Sequence, residues 1–199
     1  MVQAYGLDNI IYFPQSGTAG FDARSAAFLS FAGLPRSEVF TSREDVEDPY
    51  PADLDAVTLG SRFDHCGMPC LAESRPWWML GYLFTSLIAL DPTPGKVYAF
   101  PEGSDGYIPL HRDVESLVYA LVEFRKLEID HDYDVDPEEL SARFKETADA
   151  FDPALFADDD SQWTSHWKSW NTASGNPAHP NELYRERTHS WEGHTHPVG

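Results

Sequence analysis

The run from Trp77 to Leu127 constrains the fold of this chain more than any other stretch: it alternates short apolar segments with strong turn signals and then passes into helical periodicity. Trp77–Leu83 and Ser86–Leu90 hold aromatic and aliphatic residues in short bounded runs, the composition of buried or half-buried strands. Asp91-Pro92-Thr93-Pro94-Gly95 then supplies turn chemistry, with Asp to bond the backbone, Pro to set φ and Gly to accept a positive φ. A hairpin into Lys96–Phe100 is therefore predicted. In that strand Val97 and Ala99 point one way and Tyr98 and Phe100 the other, which implies a sheet with one covered face. A second turn at Glu102–Gly106 leads into Tyr107–Leu110. Asp113 is a good N-cap, and Val114, Leu117, Val118, Leu121 and Phe124 follow at three- and four-residue spacing, so a helix should lay its apolar stripe on the sheet.

The flanks are less regular. Ile10–Phe13 is strand-like and closed by Pro14, Gly17 and Gly20. Asp22 or Ser25 would cap a short helix carrying Phe28, Leu29 and Phe31, with Gly33 as its left-handed stop and Pro35 forbidding continuation. Glu38–Asp55 carries seven acids against one base, with Pro49 and Pro51, and reads as exposed loop. Asp136-Pro137 should start another helix, with Leu140, Phe144, Thr147, Ala148 and Phe151 on one side. Ser161–Trp170 reads as a third helical piece presenting Trp163, Trp167 and Trp170 on one face, and from Asn171 the chain is rich in Gly, Pro, Asn and His. The fold class expected is α+β: a single domain over residues 1–170, with a twisted, mostly antiparallel sheet packed by helices on one face, followed by a flexible tail over 171–199. A chain of 199 residues is long enough to bury such a core without staples.

Charge narrows the partners. Thirty-three acids against 14 Lys and Arg give a formal net charge of -19, which repels phosphate backbones, so direct nucleic-acid binding is not expected. The acid serves either solubility or a face meant for a basic partner, and charge alone does not decide between them. The first residues lack the basic and apolar regions of a secretory signal, and no apolar run approaches the roughly 20 residues needed to cross a bilayer, so a cytoplasmic, membrane-free protein is expected. Cys66 and Cys70 are too few for a disulfide framework and are expected to be reduced, beside a turn built on Gly67 and Pro69.

Asp130-His131-Asp132-Tyr133-Asp134 alternates carboxylates, but aligned to a calcium loop the position that needs Gly is Val135 and the one that needs Glu is Ser141. His65, Cys66 and Cys70 offer soft ligands with no matching second pair, and His189, His194 and His196 lie in the tail, a poor frame for a tetrahedral site. Gly-x-Ser-x-Gly and Gly-rich phosphate loops are absent. His111, Arg112 and Asp113 form a possible acid–base cluster, yet at a strand-to-helix corner such residues serve capping and register. No catalytic residue, cofactor or metal is therefore expected. The clustered Trp residues are read first as helix packing and second as interface anchors.

Gly33-Leu34-Pro35 after a short helix, Gly81 leading to Ile88-Ala89-Leu90-Asp91, Gly95-Lys96-Val97-Tyr98, and a helix near Asp113 with Ser116-Leu117 together resemble the SUKH superfamily, in its fourth type. The resemblance spans roughly Ala23 to Leu127 and leaves the Glu128–Asp160 stretch, with thirteen acids against two bases, uncovered. It implies an α+β immunity protein that binds and occludes a cognate toxin, a basic nuclease or nucleic-acid deaminase domain, with a monomeric inhibitor as the simplest arrangement. Complementarity to a basic toxin would give the acid a purpose, in on-rate and orientation. On that reading Asp45, Glu47 and Asp48 with Asp130, Asp132 and Asp134 are the expected partner contacts. The rivals are a small cytoplasmic enzyme of unknown reaction and a regulatory protein-binding module of the same fold.

Overall fold

Strand Ser86–Leu90 is buried along its whole length, and the rest of the architecture is arranged to cover it. A computed structural model of the chain describes residues 1–13, 20–37, 39–42, 58–65, 67–104, 106–131, 135–153, 155–156 and 163. In chain order the elements are α1 (Val2–Tyr5), a 3-10 turn (Leu7–Asn9), β1 (Ile10–Ile11), α2 (Ala23–Phe31), β2 (Leu34–Pro35), β3 (Phe40–Ser42), α3 (Leu59–His65), β4 (Trp78–Leu83), β5 (Ser86–Leu90), β6 (Val97–Phe100), β7 (Ile108–His111), α4 (Val114–His131) and α5 (Pro137–Phe151). β3 to β7 form one antiparallel sheet in sequence order, and β1 and β2 pair in a second, two-stranded one. The protein is thus an α+β domain with an open sheet, as the central run implied.

Local chemistry accounts for most boundaries. The Asp22 side chain accepts from the backbone N–H of Arg24 and Ser25 and caps α2, which decides between Asp22 and Ser25. Asp113 accepts from Ser116 N–H at 2.7 Å at the start of α4, and Asp136 does the same for Glu138 at 2.9 Å at the start of α5, just before Pro137. Asp91 accepts from Thr93 N–H in the turn between β5 and β6. Gly33, at φ 74, ends α2, donates to Phe28 O, and lies where an added Cβ would stand 2.5 Å from Ile11 O.

The larger core lies between the sheet and the long helices. Phe40, Leu80, Ile88, Leu90, Val97 and Ala99 pack against Leu29 of α2 and Leu117, Leu121 and Phe124 of α4, with Leu140, Phe144 and Ala148 of α5 outside α4. Tyr5 ties α1 to this layer by donating its hydroxyl to Leu121 O at 2.6 Å. The alternation expected for β6 holds, with Val97 and Ala99 on the helix side and Tyr98 and Phe100 on the other.

Part of the flank departs from the expectation. Glu38–Asp55 is not exposed loop throughout, because Val39, Phe40 and Ser42 are buried and Phe40–Ser42 forms the edge strand β3. A three-residue strand is too short to show period-two patterning beside a run of acids. α3 was not foreseen either, since Leu59 and Phe63 alone make no stripe; Leu34–Pro35, read only as a helix exit, also pairs with Ile10–Ile11. Residues 43–57 and the Ser161–Trp170 piece, Trp163 excepted, lie outside the described residues, as does the tail.

β3 reaches β4 only because of Gly81. The β4–β5 register shifts between Met79 and Gly81, and a Cβ at Gly81, whose φ is 151, would stand 2.3 Å from Thr41 O. Gly81→Ala is therefore expected to lower stability by about 1–3 kcal/mol through backbone strain and loss of the β3 pairing, read as a shift of the urea midpoint. An unchanged midpoint would show that the close approach is not required.

Candidate functional site

Three places in the fold gather polar or aromatic groups. The first is a buried chain of hydrogen bonds under the C-terminal end of β7. Its shape on paper invites catalysis, since it joins a serine, a histidine and an aspartate. Trp163 Nε1–H donates to His111 Nε2 at 3.1 Å, so that nitrogen carries no proton and the other, Nδ1, does. Nδ1 lies 3.0 Å from Ser116 Oγ, which accepts from it and donates its own proton to Asp152 Oδ2 at 2.6 Å. Asp152 Oδ2 also takes a long bond from Arg112 N–H at 3.5 Å.

The order of these bonds decides what they can do. An activated serine passes its proton to histidine, whereas here Ser116 passes it to the carboxylate, and both ring nitrogens of His111 are engaged. All four side chains are buried, with His111 4 % and Trp163 1 % exposed. The arrangement is a clamp: it fastens Asp152, just past α5, and Trp163 to β7 and the first turn of α4. Phe84, Phe124 and Phe144 close around the indole, with ring centres 6.1, 5.9 and 5.4 Å away. Sequence reasoning placed His111 in capping and register, which holds through Ser116. The reading of Trp163 as a packing residue holds as well; what no local signal announces is its bond to His111, 52 residues away, and that of Asp152 to Ser116, 36 residues away.

Burial pushes the His111 pKa down from 6.5 to about 3, against a smaller upward pull from Asp152. The folded protein keeps this ring neutral where the unfolded chain would protonate it, so the native state binds fewer protons between those values. Its contribution is intact above pH 6.5 and is lost as the pH falls toward 3, at up to about 1.4 kcal/mol per pH unit.

The second place is a cleft of about 130 Å³ where the starts of α2 and α4 meet the Pro94-Gly95 turn. Two ion pairs take up most of its charge: Arg24 grips Glu115 with both ends of its guanidinium and holds that carboxyl below its usual range, and Arg112 Nε lies 3.6 Å from Asp113, while Asp22 Oδ2 is buried with no hydrogen-bond partner among the described residues. Its volume is well under the roughly 300 Å³ at which small-molecule sites begin.

The third is the sheet face turned away from the long helices. Trp77 is buried at its centre, stacked on Tyr98 at 4.2 Å and 19° and met edge-on by Tyr107 at 4.7 Å and Phe100 at 6.1 Å. Leu59 and Phe63 of α3 cover one part, while Tyr82, Tyr98, Phe100 and Tyr107 remain half-buried. The alternation of Tyr98 and Phe100 was the signal for this layer, and Trp77 heads the strand run read from the sequence; the arrival of Phe63 from α3 was not legible.

Of the six acids expected to meet a partner, Asp45, Glu47, Asp48, Asp132 and Asp134 lie outside the described residues. Asp130 is described, and its Oδ2 accepts from Arg143 at 2.6 Å, joining α4 to α5. Among the described residues no group of three or more His, Cys, Asp or Glu is placed to hold a metal ion, and no helix is long and apolar enough to cross a membrane. The family model of the SUKH-4 immunity protein matches residues 1–168. No curated protein and no solved structure matches the chain.

Two measurements test the clamp. Equilibrium denaturation between pH 7 and 4.5 is expected to show stability falling with pH, and His111→Gln, which keeps a donor and an acceptor but does not titrate, should flatten that slope; equal slopes would refute the neutral, buried ring. Trp163→Phe keeps most of the apolar volume but leaves His111 Nε2 without its donor, for an expected loss of about 1–3 kcal/mol, and Trp163→Ala should lose about 3–5 kcal/mol. A chain indifferent to both would not hold Trp163 in its core.

Proposed function

From a chain that belongs to the SUKH-4 immunity protein family, we propose a protein that neutralises a cognate toxin by binding it and covering a basic surface, making and breaking no covalent bond of its own. The family match over residues 1–168 carries this reading. The toxin class that fits an inhibitor of charge -19 is a domain that handles nucleic acid, a nuclease or a nucleobase deaminase, because such domains present Lys and Arg to phosphate.

The ion pairs support the electrostatic part. Arg24, Arg75, Arg112, Arg125, Lys126 and Arg143 each lie beside a carboxylate of the same chain, so the bases are partly neutralised at home. What remains in surplus is acid. Such pairs add little to stability when exposed, but they lower the repulsion that a basic partner would meet. Asp45, Glu47, Asp48, Asp130, Asp132 and Asp134 remain the proposed electrostatic contacts, with residues 1–170 as the binding domain and 171–199 as its tail. The setting is the cytoplasm, and the inhibitor acts as a monomer.

Co-expression with the toxin domain encoded beside the gene tests the proposal. Growth should be rescued, and the purified complex should associate about tenfold or more slowly when salt is raised from about 0.05 to 0.5 M. No rescue and no complex would refute it, as would turnover of a metabolite by the purified protein that one carboxylate or histidine substitution abolishes.

A further inference from the structure

The two faces of the sheet are covered unequally. The helix side carries α2 and α4, with α5 and Trp163 behind them. Among the described residues the opposite side carries α3 and the loop that brings Cys70 and Trp77, and its smaller core holds Leu59, Trp77, Met79, Leu87 and Ala89. Around these, Phe63, Tyr82, Tyr98, Phe100 and Tyr107 stay half-buried, and on the same loop Met68 and Leu71 are 36 % and 40 % exposed. Half-buried Tyr and Phe around a buried Trp, with apolar side chains standing out at the edge, is the make-up of an interface centre: large contact area at low entropy cost, with hydroxyls able to bond across.

The charges on the loops that join the strands of this face select the occupant. Glu73 sits in the Trp77 loop, Asp91 begins the β5–β6 turn and Glu102 lies in the β6–β7 turn. None of the three pairs with a described base, while Arg75 is engaged by Asp64. Burial raises the Tyr98 hydroxyl pKa, and the negative charge of Asp91 adds to it. Against the three acids stand Lys96, exposed just before β6, and Arg62 of α3, which is itself engaged. An aromatic floor attracts cations through the faces of its rings, and carboxylates with no described base beside them attract them again. A guanidinium-bearing partner gains from both.

We infer that this second face of the sheet, with Tyr82, Tyr98, Phe100 and Tyr107 as floor and Glu73, Asp91 and Glu102 as rim, is where the chain docks the toxin, through Arg and Lys side chains laid over the rings. The inference rests on the immunity reading and deepens it by naming the surface. It names the centre that supplies binding energy, while Asp130, on α4 at the other side of the sheet and held by Arg143, acts in steering the approach, since exposed charges steer association more than they hold a complex together.

The test compares two charge reversals for binding to the toxin domain encoded beside the gene, followed by calorimetry. Glu73→Lys with Glu102→Lys alters the rim at exposed positions, whereas Glu138→Lys with Glu139→Lys alters the exposed first turn of α5 by the same total charge. The rim variant is expected to bind about 10- to 100-fold more weakly and the α5 variant within about threefold of the parent, with hydrogen exchange slowed on β6 and β7 in the parent complex. Equal losses, or a loss confined to the α5 variant, would overturn the assignment while leaving the immunity reading intact. A parent protein that binds no such toxin would overturn both. Self-association of the parent that the rim variant abolishes would give the face to a second copy and overturn this proposal alone.

Discussion

Burial of β5 on both sides is the constraint from which the architecture follows. A central strand with no exposed residue obliges the chain to build two covering layers, and it does so with unequal material: α2 and α4 on one side, and on the other a short helix, a loop and a set of rings. Hydrophobic burial is non-directional, so either kind of layer satisfies the strand. The difference lies in what each leaves outside. Helices present a charged outer surface with their backbone bonds satisfied, while a layer of half-buried rings keeps apolar edges and hydroxyls within reach of a partner.

The polar chain under β7 shows how a small number of buried groups can look functional and be structural. Ser116, His111 and Asp152 carry the side chains of a hydrolytic triad, yet the proton order set by the Trp163 indole runs the wrong way for an activated nucleophile. Every donor in the chain has an acceptor, which is the condition for a buried network to hold a segment in one place. The network brings the end of α5 and Trp163 onto the same corner as β7 and α4, and this is consistent with a family match that runs on past α5 to residue 168.

Much of the fold was legible because its signals are local. The Asp91–Gly95 turn, the alternation of Val97, Tyr98, Ala99 and Phe100, and the caps at Asp22, Asp113 and Asp136 each depend on residues within a few positions of one another, where sterics and one hydrogen bond decide the outcome. β3 and α3 escaped because three strand residues, or a helix with two apolar positions, offer too few repeats for a period to show. The candidate surfaces were legible only in part. The order of Tyr98 and Phe100 announced an aromatic side to the sheet, which Trp77 joins from just before β4 and Phe63 from α3.

By itself, then, the amino-acid sequence determined the α+β class, the sheet-and-helix grammar of residues 77–127, the acidic balance and the family resemblance, since each is a property of composition or of neighbours along the chain. Only the tertiary structure decided that Asp130 is engaged by Arg143, that His111 is a neutral link to Trp163, and that the rings gather on the face the long helices leave uncovered. These depend on which distant segments meet when the sheet is covered. That outcome is set by shape and burial across the whole domain, and no repeat or spacing in the chain encodes it.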